Sequence, residues 1–261
     1  MALSQVSQTA ILTVIARAVV TEKANAILND PMAVLCLDRL MSISPEEDKK
    51  RMIKWNKMYA RIQAHDAKPV ARRTKIIDSS VDLFIAHNPN CTVVNLACGF
   101  DTRFWRIQNT DCRYVEIDLP EVVSLKREIL KDELGYELIG CSILEPAWID
   151  QVTKNGSSVF LLIAEGLFYY LPRQEVIGCL QAMAGRFDRS QLILDMAAEK
   201  FTRGLWKWLF RLEEAAWGLD APFLFGINNP REIESYADGL KVIGVAKGNV
   251  GPIITLAINP A

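Results

Sequence analysis

Histidine is nearly missing from this chain of 261 residues, which has only His65 and His87. The six cysteines (Cys36, Cys91, Cys98, Cys112, Cys141 and Cys179) stand singly, with no Cys-x-x-Cys pair. Zinc sites need closer Cys and His spacing, so no metal is expected. Free thiols in an apolar chain point to a reducing, cytoplasmic setting, each cysteine acting as a small buried hydrophobe. An excess of one charge is also missing: 30 basic residues face 31 acidic ones, a formal net charge of −1. That balance offers no bulk attraction to nucleic acid or an anionic membrane, and neither is expected as a partner. Long apolar runs are absent as well. The stretch 10–20 follows no basic segment, is interrupted by Arg17 and is shorter than the ~20 residues of a membrane span. It reads as neither a leader nor a span.

What is present is ordinary globular material: half the residues are hydrophobic and 23% charged. Residues 1–75 read as a helical cap. The apolar spacing predicts helices over 5–27, ending near Asn29-Asp30-Pro31, and over 32–41. A third, amphipathic helix is predicted over 46–61, with Ser44 as N-cap and Pro45 at its first position. In residues 76–261, helices predicted over 76–86, 121–132 and Arg173–Ala184 alternate with β-rich apolar runs. Those runs are Cys91–Leu96, 113–117, 136–142, 158–164 and 191–196. Such alternation predicts a doubly wound parallel sheet. The last two strands, Leu240–Lys247 and Pro252–Ile258, are separated only by Gly248-Asn249-Val250-Gly251, so they must be antiparallel. The expected α/β fold is Rossmann-like, with seven mostly parallel strands, a C-terminal antiparallel hairpin and the helical cap as a lid. A helical aromatic insertion spans 201–229; Trp206, Trp208, Phe210, Trp217, Phe223 and Phe225 are expected to wall an apolar pocket or pack on the sheet. Met52, Trp55 and Met58 either cover a ligand or belong to the core.

Three clusters carry chemistry. First, the run 93–103 (VVNLACGFDTR) ends a strand at a small-residue turn, where Gly99 lets backbone approach a ligand and a helix beginning near Asp101 or Thr102 would favour an anion. The phosphate-loop pattern G-x-G-x-x-G is missing, since Ala97 and Thr102 hold two of its glycine positions. Second, Asp118 ends the next strand, nineteen positions after Gly99. An acid at about that spacing can take both hydroxyls of a ribose, which suggests a nucleoside cofactor without a pyrophosphate. Third, Glu165 follows a fully apolar strand, where a carboxylate needs a partner such as a ligand cation, an arginine or a helix N-terminus.

With these residues the chain resembles the class I S-adenosylmethionine-dependent methyltransferases of the leucine carboxyl methyltransferase and polyketide O-methyltransferase group. The resemblance rests on Val6-Ser7-Gln8-Thr9-Ala10 with Arg17-Ala18 and Asn29-Asp30-Pro31, and on Arg73-Thr74-Lys75 with Asp78. It continues through the glycine loop 95–103 with its Asp101-Thr102-Arg103, through Asp118-Leu119-Pro120, and through Glu165-Gly166-Leu167 with Tyr170-Leu171. Phe225-Gly226-Ile227, Pro230 and Gly239-Leu240 extend it to the tail.

The resemblance implies an S-adenosylmethionine site. Arg73, or Arg72 if the register slips by one, would hold the methionine carboxylate in a bidentate contact. Ala97 and Gly99 would lie against the methionine moiety. Asp118 would bind the ribose, with Leu119 beside it. Ser142 and Ile143 would flank the adenine, and Glu165 would accept from the α-amino group. Ser142 stands where the family often has Asp, which implies a weaker adenine contact. The implied reaction is methyl transfer to a hydroxyl or carboxylate oxygen of a small molecule, in secondary metabolism, with a carrier-tethered acceptor included. Lys49, Lys50, Arg51 and Lys54 are the basic cluster such a carrier would meet. No catalytic residue is assigned; His65, Tyr169 and Tyr170 are the weak candidates for a general base. The alternatives are a nicotinamide-dependent oxidoreductase, against which the missing glycines and the terminal hairpin argue, and a non-catalytic S-adenosylmethionine-binding scaffold.

Overall fold

A computed structural model describes residues 5–62, 69–154 and 158–259. Seven strands form one sheet in the order β3-β2-β1-β4-β5-β7-β6. β1 (Cys91–Leu96), β2 (Cys112–Asp118), β3 (Glu137–Gly140), β4 (Phe160–Ala164) and β5 (Ser190–Asp195) are parallel, and β7 (Pro252–Ile258) pairs antiparallel with both β5 and β6 (Leu240–Lys247). The predicted sheet and hairpin are therefore present. The central strands read as continuous apolar runs because both their faces are covered: every residue of β1 and β4 is buried. Alternate residues Val94, Leu96, Val115, Leu162 and Leu192 pack against Trp148 and Val152 of α6 (Ala147–Thr153) and Leu180 and Met183 of α7 (Arg173–Ala184). Val93, Leu161, Ile163 and Ile193 face the other way, onto Ile77, Val81 and Phe84 of α4 (Pro69–His87).

The N-terminal helices form their own core. Val14 and Ile15 of α1 (Gln5–Thr21), Leu37 and Leu40 of α2 (Pro31–Ile43), and Met52 and Trp55 of α3 (Glu46–Ile62) enclose Phe100, which follows β1, and Ile129 of α5 (Pro120–Leu130). The cap thus docks over the turn after the first strand.

Several local expectations are corrected. The first helix ends at Thr21 rather than at 27, because Asp30 N-caps the next one: its Oδ1 accepts from the Ala33 N–H at 3.0 Å, with Pro31 at the first helical position. Ser44 is not an N-cap; its hydroxyl donates to the Leu40 carbonyl at 2.7 Å and closes α2, while α3 starts at Glu46. The helix expected from 76 begins at Pro69, so it runs across position 75 and carries Arg72 and Arg73. No α-helix starts at Asp101 or Thr102. A three-residue 3-10 turn, Arg103–Trp105, stands there, too short to present the helix N-terminus expected to favour an anion. The aromatic insertion holds α8 (Gly204–Trp217), and α6 stands where the sequence pattern predicts no helix.

Candidate functional site

The carboxyl ends of β1, β2, β3 and β4 open on a cavity of about 490 Å³, the size range of small-molecule sites. Arg73, Ala97, Gly99, Asp118, Leu119, Ser142, Ile143, Glu165, Tyr169 and Tyr170 all line it. Arg72 is exposed and outside it. His65 lies outside the described residues. Thr9, Thr13 and Arg17 of α1, with Tyr59 of α3, roof the cavity, and Leu219 and Phe223 close one side.

The glycine turn is tightly built. Ala97 and Gly99 both take left-handed conformations, φ 48° and 51°. A Cβ on Gly99 would stand 2.6 Å from the Ala10 Cβ, so α1 lies directly on this turn. Gly99→Ala is therefore expected to cost about 1–3 kcal/mol through strain and clash, and to loosen α1 first. Hydrogen exchange would show lost protection concentrated in α1; protection equal to the parent's would contradict this docking.

Asp118 ties the turn to β2. Its Oδ2 accepts from the Gly99 N–H at 2.6 Å and its Oδ1 from the Leu119 N–H at 2.7 Å, leaving a further lone pair on each oxygen. Burial pushes this carboxyl up, against those two N–H groups and Lys126. Behind the turn, fully buried Lys126 bridges the Glu116 carboxylate and the Asp101 carbonyl, each at 2.6 Å.

Glu165 finds its partners in the protein. Oε1 accepts from Arg73 Nε at 2.8 Å and Oε2 from Arg103 Nη2. Burial would raise its carboxyl, but Arg73 and Arg103 outweigh this and hold it below the usual range. Arg73 also binds Asp195 through Nη1 at 2.9 Å. Two of its three guanidinium nitrogens are thus committed to carboxylates, and Nη2 makes no hydrogen bond among the described residues. Arg103, fully buried, pairs with Asp78 and Asp101 at 2.7 Å each. Arg106 and Arg17 extend the network to Asp30. Burial opposes the Asp101 charge, yet Arg103, Arg106, Arg17 and Lys126 drive its carboxyl well below the ordinary value. In all, five carboxylates (Asp30, Asp78, Asp101, Glu165, Asp195) face four guanidiniums (Arg17, Arg73, Arg103, Arg106), one negative charge in excess beside the cavity.

Asp195 was missed from the sequence, although it ends the apolar strand β5 as Asp118 ends β2. Burial raises its carboxyl, and it accepts from the Gly166 N–H at 2.6 Å as well as from Arg73. The aromatic wall is narrower than expected: Phe223 lines the cavity and Phe210 packs behind it with its ring tilted, ring centroids 4.4 Å apart. Trp217 packs on Tyr59, Phe225 joins the sheet core, and Trp206 and Trp208 are exposed. Met52 and Trp55 are buried in the cap core.

A parallel sheet ordered 3-2-1-4-5 and closed by an antiparallel hairpin, with acids after β2 and β4 beside a glycine turn after β1, defines a class I S-adenosylmethionine-dependent methyltransferase. The residues fit that cofactor. Asp118 keeps acceptor capacity for a vicinal diol, the network's negative excess suits a ligand of net positive charge, and Arg73 Nη2 can meet a carboxylate. The family model for leucine carboxyl methyltransferases matches residues 10–184, and the chain belongs to that family. It is 27% identical over 241 residues to the tetracenomycin polyketide synthesis O-methyltransferase of Streptomyces glaucescens, covering 92% of this chain and 82% of that one. A bovine leucine carboxyl methyltransferase 1 is 26% identical over 136 residues, covering 40% and 41%. The fold is shared with magnesium protoporphyrin IX methyltransferase of Synechocystis (TM-score 0.51, 14% identity, 87% of this chain and 99% of that). An O-methyltransferase family protein of Burkholderia thailandensis also shares it (TM-score 0.50, 17% identity, 77% and 60%).

Proposed function

We propose that this methyltransferase transfers its methyl group to an oxygen of an apolar small molecule, in secondary metabolism, and that the acceptor brings its own anionic oxygen as a carboxylate or an acidic phenol. The observation that carries this reading is the chemistry of the cavity's second half. Because β4 and β7 lie on the opposite side of β1 from β2 and β3, Tyr169, Tyr170 and Val250 line the cavity on the other side of β1 from Asp118 and Ser142. Tyr59, Leu219 and Phe223 complete this apolar, aromatic end. Among the described residues no histidine lines it. Burial, together with Asp195, pushes the Tyr169 phenol well up, and burial raises Tyr170, whose hydroxyl is hydrogen-bonded with Thr9. Neither is a phenolate near neutral pH, so neither serves as a general base there.

S-adenosylmethionine, when bound, supplies a methyl group already activated on a sulfonium. The chain's residues then bind and orient. Asp118 would take the ribose hydroxyls, Ser142 and Ile143 the adenine, Glu165 the α-amino group, and Arg73, through Nη2, the carboxylate. The helices α1 and α3 exclude water, and the aromatic end holds the acceptor in line, so that orientation supplies most of the rate. The match over most of both chains to a polyketide synthesis O-methyltransferase, against a partial match to a leucine carboxyl methyltransferase, supports a small-molecule acceptor.

The test is turnover with a panel of aromatic carboxylic acids and phenols, using methyl-labelled cofactor and following release of S-adenosylhomocysteine. A methyl ester is lost in mild alkali and a methyl ether is not, which separates the two oxygens. Tyr170→Phe should retain turnover within about tenfold. A loss of about 10²–10⁴-fold, the contribution of a general base, would contradict the reading.

A further inference from the structure

Asp195 ends β5 and is only 3% exposed; it stands behind the cavity wall rather than in it. The sheet fixes its backbone, with β4 on one side and β7 on the other: Leu194 pairs with Ala164, and Asp195 itself with Ile253. From that position one carboxylate holds two separate elements. Oδ1 accepts from the Gly166 N–H at 2.6 Å, and Oδ2 accepts from Arg73 Nη1 at 2.9 Å. Gly166, left-handed at φ 69°, belongs to the turn after β4 that presents Glu165. Arg73 comes from α4, 122 positions away in the chain. Asp195 therefore ties together the two residues read as partners of the cofactor's α-amino and carboxylate groups.

A guanidinium is planar and carries its donors in a rigid fork. Anchors on two of its nitrogens fix the direction of the third, whereas one anchor leaves the fork free to turn. Glu165 holds Nε at 2.8 Å and Asp195 holds Nη1, so the direction of Nη2 is set by both. The Tyr169 hydroxyl, 3.4 Å from Nη1, is too distant to replace the carboxylate. A Cβ on Gly166 would stand 3.9 Å from Nη2, so the turn that Asp195 holds also borders the open nitrogen. We propose that Asp195 is a positioning residue for cofactor recognition: through Arg73 and the Gly166 turn it aims Nη2 at the carboxylate of the cofactor and sets the preference for ligands that carry one. The inference rests on the reading of Arg73 as the partner of that carboxylate.

The test titrates two ligands into two proteins by calorimetry. The ligands are S-adenosylhomocysteine and its decarboxylated analogue, which keeps the adenosine, the sulfur and the amino group. The proteins are the parent and Asp195→Asn, in which either Arg73 Nη1 or the Gly166 N–H faces a donor. The parent should prefer S-adenosylhomocysteine by about tenfold or more, the worth of one charged hydrogen bond. In Asp195→Asn that preference should fall to within about threefold. Loss of a negative charge alone acts the other way: the analogue is the more positive ligand, so it would weaken most and the preference would widen. General loosening of the fold would weaken both ligands alike and leave the preference unchanged. A widened or an unchanged preference would each overturn the proposal. Equal affinity of the parent for the two ligands would overturn the reading of Arg73, and the proposal with it. If Asp195→Asn does not fold, Asp195→Glu, which keeps the charge and displaces it by one methylene, should show the same narrowed preference; a preference equal to the parent's would contradict the proposal.

Discussion

Asp118→Asn is expected to weaken S-adenosylhomocysteine binding by about a hundredfold. Both oxygens of Asp118 already receive a backbone N–H, from Gly99 and from Leu119, and the lone pairs that remain are the ribose acceptors. Asparagine offers one acceptor and one donor in the same place. Whichever oxygen the amide nitrogen replaces, a turn N–H then faces a donor and a ribose acceptor is lost, and the bonds to the surviving oxygen lose their charge. A charge-assisted hydrogen bond contributes about 1.5–3 kcal/mol, so one lost and one weakened amount to about two decades in Kd. The pH dependence has a definite sign. Burial raises this carboxyl, so parent affinity should decline as pH falls toward its pKa, because the protonated acid is the poorer acceptor. The variant's affinity should lack that decline. Calorimetric titrations of parent and variant across the acid range check both statements.

Arg103→Met should lower stability by about 3–5 kcal/mol, the cost of removing one partner from a buried ion cluster. In a chain of this length that is a fall in Tm of about 10 °C. Met keeps most of the packed volume, so the loss reports charge. Asp78, Asp101 and Glu165 each lose a guanidinium, while Arg106 and Arg73 still hold part of the network. Asp101 and Glu165 have carboxyls held below their ordinary values, so their pairing stabilises the fold above the ordinary carboxylate pKa. That stabilisation is lost as pH falls through the depressed folded values. The deficit of Arg103→Met should therefore be full at neutral pH and shrink in acid. Arg186→Met, which breaks the surface pair with Asp150, should cost under about 1 kcal/mol. Thermal and denaturant unfolding of the two variants side by side would show whether burial makes the difference.

The contrast between those arginines marks where the sequence was legible. β6, β7 and α7 begin and end where their apolar period and flanking Gly and Pro place them, because the signals are local. Asp118 and Glu165 stood out because each is an acid directly after an apolar strand. Asp195 gives the same signal after β5 and was overlooked. The arginine network was not legible in the same way. Arg103 meets Asp78 and Glu165, 25 and 62 positions away, and only the fold brings them together. That network changes the meaning of Glu165 and Arg73. Each is a candidate cofactor ligand and also a structural ion-pair member, so replacing either perturbs the fold as well as binding, which makes Asp118 the cleaner probe. The start of α4 was hidden because its first turns are basic, which masks the apolar period; Pro69 at the first position was the available sign. Within the aromatic insertion the helix covers only Gly204–Trp217, and composition does not tell which face a tryptophan occupies: Trp206 and Trp208 are exposed.

The most direct test of the account is calorimetric titration of the purified chain with S-adenosylhomocysteine, with NADH titrated in parallel. Saturable one-site binding of S-adenosylhomocysteine, with no heat from NADH, is the predicted result. Binding of NADH instead, or of neither, would contradict the assignment of this cavity.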